Sequence, residues 1–109
     1  MEISKLKGSN KRTGLCRLAI QGDMSIYQAA ELMQMLAVYL NEYKDFELDL
    51  SAVSEMDTSG IQCLLVIYRR ARQSGNTLRL IAMSSIVEHV LSIYRITDKF
   101  HAEQQSKRI

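Results

Sequence analysis

The sequence has no proline and no tryptophan, only two phenylalanines and two cysteines, and five glycines in 109 residues. Without proline, and with so few glycines, no stretch reads as a long disordered linker. Without tryptophan, and with two phenylalanines, there is no aromatic platform on which bases could stack. Excess charge is also missing. Fourteen Lys and Arg against twelve Asp and Glu leave a net +2, too little to imply a nucleic-acid partner. No run approaches the roughly eighteen apolar residues that cross a bilayer. The start, Met1-Glu2-Ile3-Ser4-Lys5, is too mixed for the apolar core of a secretory signal. A single cytoplasmic domain over residues 1–109 is expected, with no membrane insertion. A chain of this length buries about two-thirds of its unfolded surface and needs no disulfide or metal staple.

Chemistry-bearing clusters are equally scarce. Cys16 and Cys63 lie far apart in the chain, and His89 and His101 do not supply the short ligand spacing of a zinc site. Both cysteines fall among apolar residues and are expected to be buried core thiols. There is no G-x-x-x-x-G-K-[ST] phosphate loop and no G-x-S-x-G elbow. His89 reads as a surface or structural histidine. No catalytic residue, metal or cofactor is implied, and enzyme activity is not expected.

What the sequence does contain is alternation. Thr13 to Ile20 reads as a strand with Cys16, Leu18 and Ile20 on one face. Ile3 to Lys7 is a weaker strand before it, across a turn at Gly8-Ser9-Asn10. Residues 1–12 are therefore expected to be a loosely ordered start or an edge strand. After Gln21-Gly22-Asp23, Ser25 is a candidate N-cap, with Gln28 as its capping-box partner. The helix that follows shows Ile26, Ala30, Met33, Ala37 and Leu40 at helical spacing, with Leu36 beside them. Phe46-Glu47-Leu48-Asp49-Leu50 alternates as a half-buried strand does.

A second helix is predicted from Ser59 to Ser74, with Ile61, Leu64, Leu65, Tyr68 and Ala71 as its core stripe. Arg69, Arg70 and Arg72 occupy its closing turns, and Gly75 follows as the C′ residue. Thr77 to Ile81 is the next strand. Ser84 or Ser85 caps a short third helix with Ile86, Val87, Val90, Leu91 and Tyr94. Ile96 and Phe100 add apolar residues before a polar tail over 101–109. The order β-β-α-β-α-β-α predicts an α/β fold with a mixed, mainly parallel sheet of four to five strands and helices mostly on one face.

In open sheets of this kind, ligands and partners gather at the carboxyl ends of the strands. Three loops are expected there: Gly22 to Ser25, Ser54 to Gly60, and Ala82 to Ser85. The middle one leads an acidic residue, two hydroxyls and a glycine into a helix N-terminus. Ser59 would sit in its first turn, where free N–H groups and the dipole favour an anion. Ordinary capping by Asp57 or Thr58 is the alternative. Met24, Met56 and Met83 fall one in each loop. They are either an apolar contact patch around Ser59 or hydrophobic staples, each packing back on its own helix.

The segment Leu48-Asp49-Leu50-Ser51 through Asp57-Thr58-Ser59-Gly60-Ile61-Gln62 resembles the signature of the STAS domain, the family of anti-sigma factor antagonists. The likeness extends to Gly22-Asp23-Met24, Gly75 and the Leu78-Leu80 strand, covering most of residues 13 to 100. In members that act as antagonists, the serine before the glycine is phosphorylated by a partner kinase that is also the anti-sigma factor. By motif position that serine is Ser59.

The resemblance implies a phosphorylation-switched regulator. Asp57, Thr58 and Gly60 would shape the helix start, and Asp23, Met24, Met56, Met83 and Ser84 would line the partner face. Residues Gly22 to Leu32 are closer to a second branch. It includes non-catalytic subunits that dock on lipid-transport ABC ATPases and proteins beside chemotaxis modules. Sporulation-type antagonists often have an acidic residue where Ser25 stands, and the family's last helix looks missing or very short.

Overall fold

The computed structural model describes residues 2–96, with only the backbone of Tyr27. The polar tail, Phe100 and the family's last helix lie outside the described residues. The chain runs β1 (Glu2–Lys5), β2 (Leu15–Met24), α1 (Ile26–Glu42), β3 (Asp45–Met56), α2 (Thr58–Gln73), β4 (Leu78–Met83) and α3 (Ser85–Ile93). The four strands form one sheet in the order β1-β2-β3-β4. β1 is an antiparallel edge strand, and β2, β3 and β4 are parallel. Crossovers between parallel strands are right-handed. Two that step the same way across the sheet carry α1 and α2 onto the same face.

That face holds the core. Cys16, Leu18, Ile20, Phe46, Leu48, Leu50, Leu78 and Leu80 point from the strands toward Leu32 and Leu36 of α1 and Ile61, Leu64, Ile67 and Tyr68 of α2. The alternate strand positions face outward, half-exposed. There Arg17, Glu47 and Arg79 lie in register across three strands. Arg17 Nε is 2.9 Å from Glu47 Oε1 and Arg79 Nη1 is 3.0 Å from Oε2.

Both central strands run further than alternation predicts. β2 continues four residues past Ile20 and β3 six past Leu50. Alternation fails there because the β2–β3 register shifts twice, between Ala19 and Gln21 and between Gly22 and Asp23. At both shifts the extra residue is on β3, and Gly22, facing the second on β2, takes φ +96°, which glycine adopts without strain. Beyond Leu50, whose partner Met83 ends β4, burial in β3 falls every third residue, at Val53 and Met56.

Helix α1 is turned relative to the expected stripe. Ile26 and Ala30 are exposed, and the buried line runs through Leu32 and Leu36, with Ala29, Met33, Tyr39 and Leu40 packed beside it. Apolar residues surround this helix, so its spacing admits several stripes. The packing of α2 selects one, with Cys63 Sγ 4.0 Å from the Ala29 carbonyl. Helix α2 closes as the sequence suggests. Gly75, at φ +73°, and Asn76 donate back to the carbonyls of Arg72 and Ala71, the Schellman arrangement.

Cys16 and Cys63 are free and buried. Burial pushes both thiols up, Cys16 from 9.0 to about 11. At pH 8 that leaves Cys16 about a hundredth of the thiolate of an ordinary cysteine. Iodoacetamide at pH 8 is therefore expected to modify Cys16 in the native protein at least about 100-fold more slowly than in urea. Comparable rates in the two states would contradict its placement.

Candidate functional site

Each parallel strand passes into its helix through a single residue: Ser25 after β2, Asp57 after β3 and Ser84 after β4. Met24, Met56 and Met83 are the last strand residues before these links. Met24 and Met56 pair with each other across the sheet, so the starts of α1 and α2 are brought side by side. The predicted loops are thus mostly strand. This also corrects the apolar contact patch: Met24 is fully buried, Met56 nearly so, and Met83 half-buried. Met24 and Met56 pack beneath the start of α2, against Gly60, and Met83 packs on the margin of the core.

Asp57 joins the two helix starts. Its Oδ1 accepts from the N–H groups of Ser59 and Gly60, at 2.9 and 3.3 Å. Its Oδ2 accepts from the Ile26 N–H at the head of α1, at 2.9 Å. One carboxylate therefore caps α2 and α1 together. Ser25 occupies the N-cap position of α1 in extended backbone, but its side chain makes no capping bond. The expected Ser25–Gln28 capping box does not form, and the aspartate from the neighbouring link takes its place. Ser84 caps α3, accepting from the Val87 N–H at 3.3 Å.

Gly60 is where the two links touch. A Cβ there would collide with the Met24 carbonyl oxygen and lie 3.0 Å from Met24 Cβ and 3.1 Å from Met56 Cγ. The glycine is required by the close approach of α2 to the end of β2.

The two hydroxyls in the first turn of α2 differ. Thr58 Oγ1 shares a 2.8 Å hydrogen bond with Tyr94 Oη, which ties the end of α3 to the start of α2. Ser59 is half-buried, and its hydroxyl has no hydrogen-bond partner among the described residues. Asp23 is exposed at the end of β2 and accepts from Ser54 Oγ at 3.2 Å. The Asp49-Leu50-Ser51 part of the signature lies elsewhere. Ser51 donates from its N–H and hydroxyl to Asp49 Oδ1, at 2.9 and 2.6 Å, which holds the Asp49 carboxyl below its ordinary range.

Two residues that sequence reasoning missed flank this region. Ile26, expected in the core stripe, is 65% exposed and tied to Asp57 through its N–H. Tyr94, expected among the apolar residues of α3, is 48% exposed and tied to Thr58. Ile26 and Tyr94 are thus exposed apolar side chains tied to Asp57 and Thr58, the two residues before Ser59. An apolar residue directly after a link serine was the available signal for Ile26.

A family model described as "Mlab, STAS domain" matches residues 10–101. The chain belongs to the STAS domain family. Solved structures agree on the STAS fold. The unphosphorylated form of the anti-sigma factor antagonist SpoIIAA superposes with a TM-score of 0.71 at 12% identity, covering 87% of this chain and 82% of that one. An anti-sigma factor antagonist from Mycobacterium paratuberculosis gives 0.73 at 17% identity, covering 91% and 83%. The phosphorylated form of the Bacillus cell fate determinant SpoIIAA gives 0.66 at 12% identity, covering 85% and 83%. At these identities the likeness is one of fold.

Proposed function

We propose that this STAS domain is a phosphorylation-switched interaction module of the anti-sigma factor antagonist kind. Ser59 is the phosphoacceptor, and the partner is a serine kinase that also serves as the anti-sigma factor. The observation that carries this reading is the Ser59 hydroxyl, without a hydrogen-bond partner among the described residues, at a helix start where Asp57 and Thr58 are both occupied. A phosphate there adds about −1.5 to −2 of charge. The helix dipole favours it by roughly 0.3–1 kcal/mol, so the fold tolerates the group. Its charge falls beside Asp57, and a partner complementary to the uncharged helix start loses affinity.

In this reading the module acts in the cytoplasm by binding and release, without a catalytic step of its own. No helix among the described residues is long and apolar enough to cross a membrane. Asp23 and Thr58 present exposed side chains to the partner, and Ile26 and Tyr94 add apolar contact. Asp57, Gly60 and Ser84 hold the helix starts, with Met24, Met56 and Met83 supporting them from below. Incubating the chain with ATP and lysate of its own cells is expected to add one phosphate, mapped by mass spectrometry to Ser59 and absent in Ser59→Ala. A phosphate mapped only to other residues, or none, would overturn the assignment.

The resemblance of Gly22 to Leu32 to the transporter branch favours a second reading. There the chain is a constitutive subunit docked through the same helix start on an ABC lipid-transport ATPase or in a chemotaxis-type assembly. That reading expects Ser59→Ala and Ser59→Asp to keep the complex equally.

A further inference from the structure

The outer face of α2 carries a pattern that helix capping does not use. From Thr58 to Gln73 the helix holds Arg69, Arg70 and Arg72 and no acidic residue. Arg70 and Arg72 stand in the last turn, where a cation offsets the dipole; Arg69 lies before it. Arg72 folds back over the Tyr68 ring, 5.5 Å from its centroid, and donates to Tyr68 Oη at 3.0 Å. Arg69 and Arg70 are exposed and have no carboxylate partner among the described residues.

At 3.6 residues per turn, Ser59, Gln62, Val66 and the Arg69–Arg70 pair share one side of the helix. It lies opposite the buried Ile61, Leu64, Tyr68 and Ala71. Val66 is 38% exposed. With Gln62, Leu65 and Arg69 it forms a shallow, open strip along α2. The strip is apolar in the middle and basic at the end away from Ser59.

We propose that this face binds an acidic amphipathic helix of a partner protein, its apolar side chains on Leu65 and Val66 and its carboxylates on Arg69 and Arg70. The charge pattern favours this occupant over two others. A second copy packed face to face would offer these arginines no carboxylate from its own α2. An anionic bilayer would meet a chain of net charge only +2. A narrow acidic segment supplies the carboxylates that α2 lacks, at its basic end. The inference rests on the chain being a partner-binding module and not on phosphorylation of Ser59.

The test titrates the unphosphorylated, isotope-labelled chain with a synthetic Glu/Leu helical peptide of about three heptads, followed by NMR. A matched Lys/Leu peptide is the control. Amide shifts should concentrate over residues 62–70 with the acidic peptide alone, and affinity should fall at least about tenfold at 0.5 M salt, roughly where surface charges are screened. The exposed double substitution Arg69→Glu with Arg70→Glu should weaken the acidic peptide at least about tenfold and transfer binding to the Lys/Leu peptide.

No response, an equal response to both peptides, or shifts centred elsewhere would overturn the proposal. So would sedimentation with phosphatidylglycerol vesicles that the double substitution abolishes, or self-association through the same residues. None of these outcomes bears on the phosphate expected at Ser59.

Discussion

Gly60→Ala is expected to destabilise the fold by about 2–4 kcal/mol, although alanine is the better helix former by roughly 1 kcal/mol. The added methyl would meet the Met24 carbonyl oxygen, Met24 Cβ and Met56 Cγ. The first of these is backbone, held in the paired ends of β2 and β3, and cannot rotate away. The start of α2 must lift from the sheet instead. That loosens the two bonds from Asp57 to α2 and the packing of Met24 and Met56. Thermal unfolding should show a fall in Tm of roughly 10–20 °C. Adding Met56→Ala should not restore stability, because it relieves only the side-chain contact. A Gly60→Ala protein within about 0.5 kcal/mol of wild type would show that the two links do not approach as described.

Asp57→Ala is expected to cost about 2–3 kcal/mol, more than the loss of one N-cap, because one carboxylate serves two helices. Asp57→Asn should cost about half as much. It retains one acceptor oxygen but turns an NH₂ group toward N–H donors on the other side. Urea unfolding measures the difference. Amide hydrogen exchange adds a local signature, since protection at Ile26, Ser59 and Gly60 should fall together in Asp57→Ala. If only Ser59 and Gly60 lose protection, Asp57 caps α2 alone and the link to α1 is absent.

The elements were legible in the sequence wherever one face of a regular element is buried. The alternation of Cys16-Leu18-Ile20 and Phe46-Leu48-Leu50 located the central strands, and Gly75 marked the end of α2. The family signature added the STAS assignment, and with it Ser59 as the residue to examine. What periodicity could not show was the continuation of β2 and β3 through bulges, where burial no longer alternates. That error made loops of strand residues and turned three methionines into a possible surface.

The other miss lay at the start of α1. Ser25 with Gln28 has the local pattern of a capping box, yet the donor at Ile26 is satisfied by an aspartate 31 residues away. Local pattern does not register a competing acceptor brought in by the fold. The same blindness hid Ile26 and Tyr94, whose exposure depends on how α1 and α3 are rotated against the sheet.

The central claim is that Ser59 governs partner binding. Its most direct test is affinity capture from native lysate with wild-type, Ser59→Ala and Ser59→Asp baits, followed by titration of the captured partner against each. Wild type and Ser59→Ala should recover a serine kinase or anti-sigma factor with similar affinity, and Ser59→Asp should bind it at least about tenfold more weakly, a difference of about 1.4 kcal/mol. Equal binding of all three to a transporter ATPase would contradict the switch and leave Ser59 as an ordinary residue of the first turn of α2.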